Sequence, residues 1–343
     1  MAAPDIDYGR LAAARAQDFL HSQWDERGLP RTLVSVSAAM DAARPATEGR
    51  QVLLREFGRD IGFDLGDERF TASLALAHLP DGDTADRSLG AQLGEVVKSG
   101  RDEANRFGFF FDANGFPADS DCTGMAVGAL YDRGLISTGE LVEFGRELLA
   151  SATPATGPAD EPGVVMVYWQ DRAEPGKLRR GPTYDAVACA NALYVLKHAV
   201  THGLPDPDGV VAATTGYVAD HLRSGRYRGG TRYYPRPEPF LHAMSRLCAS
   251  FDDIAAECGA ELARALSASD APEQVPALDL ALTILAVDNL GGDAHQRWRR
   301  DVLVAQQDGS GSWPASAYFR MGRLPLYWGS STLTAVFAAG ALA

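Results

Sequence analysis

"FPADSDCTGMAVGAL", residues 116–130, sets two aspartates in front of a run of small and apolar residues. From Cys122 to Leu130 that run is apolar on every side, so a helix here is interior rather than amphipathic. The same all-round character returns in "DAVACANALYVL" (185–196), "LDLALTILAV" (278–287) and "STLTAVFAAGAL" (331–342). Between these stretches lie helices with one charged face: "GELVEFGRELL" (139–149), "DGVVAATTGYVADHL" (208–222) and "QRWRRDVLVAQQ" (296–307). Interior and exterior helices therefore alternate along the chain. An α/α barrel requires that alternation, and a helical solenoid shares it. The spacing of apolar residues predicts eleven or more helices, with two further ones between residues 32 and 60. "GVVMVYWQ" (163–170) is the best strand candidate. No Pro/Ser-rich linker divides the chain, and 151–163 reads as a long loop, so the expectation is one all-α domain over 1–343.

Composition narrows the function. The chain has 343 residues, 46% hydrophobic and 22% charged, with a net charge of -13. That balance describes a folded chain, and it argues against nucleic acid or an anionic membrane as the main partner, since phosphate recognition needs a basic face. The four cysteines, Cys122, Cys189, Cys248 and Cys258, form no CxxC pair and no disulfide framework. The expected compartment is a reducing cytoplasm. No basic-then-apolar leader opens the sequence, and no apolar run approaches the roughly 18 residues of a membrane span.

The opening stretch carries the clearest chemistry. Asp119 or Asp121 can cap the helix that follows, because Asp is a preferred N-cap and a carboxylate suits the positive end of the helix dipole. Alternatively, one of them is an acid. Two carboxylates close together do not both ionise cheaply, so one keeps its proton. In a dry, aromatic-lined cavity that proton can go to an alkene or an epoxide, with Cys122 as a hydrogen-bond donor to the conjugate base.

"DSDCTGMAVGAL" resembles the acid motif of the class II terpene cyclases, in the squalene cyclase and prenyltransferase-repeat superfamily. Bacterial members carry Asp-x-Asp-Asp-Thr-Ala, whose middle Asp, the proton donor, matches Asp121. Oxidosqualene cyclases carry Asp-Cys-Thr-Ala-Glu, whose Asp-Cys-Thr matches Asp121, Cys122 and Thr123. This chain is a hybrid of the two and departs from both at Gly124. "LVAQQDGSGSW", with Leu303, Gln307, Gly311 and Trp313, is similar to the QW repeat of the same superfamily, in which Gln caps a helix end and Trp stacks on it to tie outer helices together. The resemblance covers roughly 105–343. It implies an α6–α6-like toroid of inner and outer helices, a short single-barrel member, and protonation-initiated cyclisation of a linear isoprenoid: a polyprenyl diphosphate, or an epoxidised or meroterpenoid chain.

It also implies a site. Asp121 is the general acid, tuned by Asp119 and Cys122. Aromatic side chains stabilise the carbocation through their ring quadrupoles. Expected around the substrate are Phe111, Trp169, Tyr184, Asp185, Cys189, Asn191, Tyr233, Tyr234, Tyr327 and Trp328. Further aromatic candidates are Phe109, Phe110, Tyr168, Tyr194, Phe240 and Tyr318, and about a third of all of these are expected to face a cavity. For Cys189 a buried small hydrophobe is the preferred reading over a second thiol near Asp121. The protonation requires no cofactor and no protein metal site, with Mg²⁺ an aid to holding a diphosphate head. Either the single barrel encloses its own cavity or a homodimer closes it.

Other motifs point elsewhere and carry less. "FDDIAAE" (Asp252, Asp253, Glu257) is similar to a class I metal motif but lacks its partner motif, and Ser250 with Asp253 makes a capping box. His198 and His202 sit at a helix end as caps rather than ligands. "RRGPTYD" and "RYRGGTR" hold arginines that can grip a diphosphate, although loop arginines are commonly just solvated. Two other functions use the same fold: a non-catalytic lipid- or protein-binding barrel, and an acid-catalysed cyclase of a non-terpene natural product.

Overall fold

The computed structural model describes residues 7–80, 84–112, 115–154, 160–171, 177–267, 275–292 and 296–343. The chain runs through α1 (Tyr8–His21), α2 (Gly49–Phe57), α3 (Phe70–His78), α4 (Thr84–Lys98), α5 (Ser120–Asp132), α6 (Thr138–Leu149) and α7 (Ala186–Thr201). It continues through α8 (Val210–Arg223), α9 (Glu238–Ser250), α10 (Asp252–Ser267), α11 (Ala277–Asn289), α12 (Arg297–Ala305) and α13 (Ser331–Leu342).

Six of these helices close a ring. α3 packs on α5, α5 on α7, α7 on α9, α9 on α11, α11 on α13, and α13 returns to α3. Five of them are apolar on all sides, and α9 carries a polar face: in α5 every residue from Ser120 to Leu130 is buried, and in α13 nearly every residue is. The amphipathic helices form the outer layer. α1 lies on α13, α4 on α3, α6 and α8 on α7, α10 on α9, and α12 on α11. This is an α/α barrel: the four stretches read as interior are α5, α7, α11 and α13, the three read as exterior are α6, α8 and α12, and α3 and α9 complete the inner ring.

Two local expectations do not hold. "GVVMVYWQ" is extended but forms no strand. Met166 N–H bonds to Ser151, Val167 N–H to Thr183, and the Val167 carbonyl accepts from Ser120 N–H. Three different segments share its backbone, so no ladder develops. Between 32 and 60 the chain makes one helix, α2, after a 3₁₀ turn at 46–48. The other predicted helix is replaced by β1 (Leu33–Ser35) and β2 (Arg44–Pro45). These join β3 (Phe319–Arg320) and β4 (Tyr327–Gly329) in a small antiparallel sheet ordered β2-β1-β4-β3. Gly329 is required there, because a Cβ would collide with the Ser316 carbonyl.

The QW-like unit joins the first outer helix to the last. Gln307 Nε2 donates to the Ala12 carbonyl inside α1 (2.8 Å) and to Gly311 (3.0 Å). Trp313 Nε1 donates to the Leu303 carbonyl of α12 (2.7 Å), and its ring is fully buried. The expected tie between outer helices is thus made by side chain-to-carbonyl bonds. Ser250 ends α9 and Asp252 opens α10, so the expected capping box does not form, and Asp253 pairs with Lys197 (2.6 Å).

The prediction for this subsection concerns Trp313. Trp313→Ala empties a fully enclosed site between α1 and α12 and removes a satisfied indole bond. Urea denaturation is expected to show a loss of about 3–5 kcal/mol. A change below about 1 kcal/mol would mean that the tie does not hold the barrel's seam.

Candidate active site

A cavity of about 370 Å³ lies where the segments leading into the inner helices converge. Asp121 and Cys122 of α5 lie on it, with Asp119. Its wall is aromatic: Phe63, Phe70, Phe109, Phe110, Phe116, Tyr168, Tyr233, Phe319 and Trp328. These rings meet mostly edge to face, as in Phe70–Phe319 (5.1 Å, 87°), Phe109–Phe110 (5.1 Å, 87°) and Phe110–Phe116 (5.5 Å, 89°). That is the preferred geometry for ring quadrupoles. Arg180, Arg232, Arg320 and Arg323 also line the cavity, giving it four cations in a chain of net charge -13. Arg180 lies over the rings of Phe116 (4.9 Å) and Tyr168 (5.9 Å).

Asp119 and Asp121 divide the two roles that the sequence left open. Asp119 is the N-cap of α5, accepting from Cys122 N–H at 2.7 Å. Asp121, two residues later, is buried and turned into the barrel. Asn191 Nδ2 donates to its Oδ1 (2.8 Å) and Tyr234 OH to its Oδ2 (2.6 Å). Its pKa is raised to about 8, first by burial and then by the charge of Asp119, while Tyr234 and Asn191 pull the other way. At neutral pH this carboxyl keeps its proton. Burial pushes the Cys122 thiol well above its usual range, with help from Asp119 and Asp121, so it stays a thiol. Burial likewise holds the Tyr234 hydroxyl protonated, as a donor.

The departure at Gly124 has a packing reason. A Cβ there would come within 2.6–2.7 Å of the Asn191 and Ala192 backbone. α5 and α7 therefore touch backbone to backbone, one turn beyond Asp121, and this approach brings Asn191 to the acid.

Several expected site residues sit elsewhere. Trp169 points outward: Arg106 covers its ring at 4.4 Å and its indole bonds to the Glu147 carbonyl. It follows Tyr168 in extended chain, and successive side chains alternate sides. Phe111, after Phe110, lies under Arg27 and Arg69 for the same reason. Tyr327, before Trp328 in β4, does not line the cavity. Tyr184 packs on Tyr217 of α8. Cys189 bonds to the Val165 carbonyl (3.3 Å) and is buried away from the cavity. Asp185 caps α7. Asn191 and Tyr234 hold the acid instead of lining the wall. Tyr194 bonds to Asp132, Phe240 packs on His221 and Tyr227, and Tyr318 stacks edge-on against Tyr234. His202 ends α7 and meets Tyr131 OH at 2.8 Å.

The sequence reading missed Phe63, Phe70, Phe116 and Phe319 in the wall and Arg320 and Arg323 beside them. Phe116 stands in the run-up to the acid motif, and Phe319-Arg320 adjoins the flagged Tyr318. Phe63 and Phe70 lie in the first hundred residues, which match no motif.

Among solved structures, a protein from Actinoplanes superposes with a TM-score of 0.68 at 17% identity, covering 97% of this chain and 98% of that one. Type II terpene cyclase MstE from Scytonema superposes with a TM-score of 0.65 at 14% identity, over 98% of both chains. This chain has the type II terpene cyclase fold. The same Scytonema protein has been solved with geranylgeranyl dihydroxybenzoate as its substrate. In sequence, 172 residues are 30% identical to the drimenol cyclase drtB of Aspergillus calidoustus. That match spans 48% of this chain and 28% of the fungal protein. No family model matches.

The raised pKa of Asp121 has a measurable consequence. The folded state holds a proton that the unfolded chain releases near its ordinary value of 3.8. This group's contribution to stability therefore falls as pH rises from about 4 to 8, then levels off. Asp121→Asn mimics the protonated form and does not titrate. Its stability relative to the parent is expected to rise between pH 5 and pH 8 in denaturant melts. A difference that stays flat over that range contradicts a proton held on Asp121.

Proposed function

We propose that this protein is a class II-type terpene cyclase that starts cyclisation of a linear isoprenoid by protonating it from Asp121. The observation that carries the reading is a buried carboxyl facing an aromatic cavity, its pKa raised to about 8, with two donors already aimed at its oxygens. Burial and the Asp119 charge keep the proton on at rest. Once the proton leaves, Asn191 and Tyr234 stabilise the carboxylate without having to reorganise. The rings of Phe70, Phe109, Phe110, Phe116 and Phe319 lie where the positive charge would travel. The dry wall also shields a cation from early capture by water. A barrel with Asp121 facing outward, or one filled with side chains, would have favoured a non-catalytic role. Neither describes this cavity.

The arginines suit an anionic head group, with the hydrocarbon tail reaching toward Asp121. A polyprenyl diphosphate meets this description, as does a chain ending in an acidic aromatic ring. Among the described residues no three His, Cys, Asp or Glu converge as a metal site. The arginines meet an anionic head group directly, and any Mg²⁺ would come held by the diphosphate of the substrate. In this reading 1–343 is one barrel, and acid, donors, wall and head-group cations come from a single chain without a homodimer. Among the described residues no helix is long and apolar enough to cross a membrane, and all four cysteines are free and buried. Both fit the cytoplasmic assignment that belongs to the same proposal.

The test is a product assay by mass spectrometry with geranyl, farnesyl and geranylgeranyl diphosphates and an epoxidised polyprene. A cyclic product of unchanged mass and new retention is expected from at least one, and none from Asp121→Asn. Full turnover by a folded Asp121→Asn protein contradicts the mechanism. For an anionic substrate, Arg323→Ala is expected to raise KM about 10-fold or more with little change in kcat, the worth of one charge-assisted contact.

A further inference from the structure

We infer that Asp185 is the positioning residue of the acid site: one buried carboxylate from which both side chains that donate to Asp121 are placed. The inference rests on the reading of Asp121 as the acid. Asp185 is 2% exposed and does not line the cavity, so its role is not to touch substrate. Its Oδ1 accepts from Val187 N–H (3.0 Å) and Ala188 N–H (3.5 Å), capping α7. Six residues along that helix stands Asn191, the first donor. Its Oδ2 accepts from Tyr233 N–H (3.1 Å), in the loop before α9. The next residue is Tyr234, the second donor.

That loop is a tight structure. Gly230 has φ +69, and a Cβ there would strike the Tyr234 carbonyl. Thr231 N–H bonds to the same carbonyl (2.7 Å), and Thr231 Oγ1 accepts from Tyr234 N–H (3.2 Å). The Thr231 side chain also acts on Asp185, lowering a pKa that burial raises. On the other flank Arg320 N–H bonds to the Tyr233 carbonyl (2.7 Å). With the loop pinned in this way, the Tyr234 hydroxyl reaches Asp121 at 2.6 Å. A carboxylate offers acceptors on both oxygens, whereas an amide offers one. Asp185→Asn must therefore give up either the helix cap or the Tyr233 tether.

A double-mutant cycle tests this on the full chain. Turnover of farnesyl and geranylgeranyl diphosphates is measured for Asp185→Asn, Tyr234→Phe and the pair. Each single change is expected to lower kcat about 100-fold, the scale of losing one preorganised donor, with KM within about 2-fold. If the Tyr233 tether is what is lost, the double variant should fall little further; the same cycle with Asn191→Ala covers loss of the helix cap, and non-additivity is expected in at least one of the two. Losses that multiply in both cycles, or a change confined to KM, overturn the inference. If Asp185→Asn does not fold, Thr231→Val cuts the link to Asp185 and the Tyr234 N–H bond while leaving the helix cap, and the same non-additivity is expected. The cycle can also be read as stability, without substrate. Tyr234→Phe or Asn191→Ala should cost stability beside Asp185 and much less in the Asp185→Asn background, and costs that are equal in the two backgrounds for both variants overturn the inference. An active Asp121→Asn protein would remove the acid reading itself. An inactive one with both cycles additive removes only the role of Asp185.

Discussion

A carboxyl group taken out of water is costly to ionise, and the deep end of this barrel is built around that cost. Asp121 is buried, has Asp119 two residues away, and titrates near pH 8. Desolvation and the neighbouring charge hold the proton. Asn191 and Tyr234 are aimed at the oxygens that carry charge after it leaves. The two sets of interactions act on different protonation states, so a proton can be held firmly at rest and still be given up to a substrate. Without the burial, Asp121 would be an ordinary ionised side chain in the first turn of α5.

The architecture exists to hold that arrangement. α5 and α7 approach closely because Gly124 has no side chain, and the approach carries Asn191 to Asp121. The 230–235 loop supplies Tyr233 to the wall and Tyr234 to the acid within two residues. The small sheet brings Phe319 and Trp328, from the end of the chain, against Phe70 and Phe109 from the earlier part. The QW-like unit then fastens α12 to α1 and closes the outer layer. A cavity assembled from segments so far apart in sequence depends on a closed ring, which a solenoid lacks.

How much of this was legible follows from the physics of each signal. The barrel was readable because inner helices must be apolar on every side while outer helices need a polar face, and Ser120–Leu130 against Thr138–Leu149 shows the contrast directly. Asp121 was readable because the acid motif is compact and local. The wall was readable only in part. Which of two adjacent aromatics faces inward depends on the register of extended chain, so Phe110 and Tyr168 line the cavity while Phe111 and Trp169 turn out. Asn191 and Tyr234 were named as contacts to substrate because sequence gives no distances. Their bonds to Asp121 span 70 and 113 residues. The strands at 33–35 and 44–45 were missed because segments of two and three residues carry no period, and the first of them also pairs with β4 near the other terminus.

The central claim is that the reaction begins with a proton from Asp121, and running it in D₂O addresses this directly. With a polyprenyl diphosphate, whose terminal alkene takes the proton on carbon, Asp121 refills from solvent between turnovers, so each cyclised product is expected to carry one deuterium on carbon at the end that was protonated; an epoxide would take it on oxygen, where it exchanges. Mass spectrometry of the product locates the label. A cyclised product of the alkene substrate with no carbon-bound deuterium would contradict the account, because cyclisation would then start by some route other than proton transfer from the enzyme.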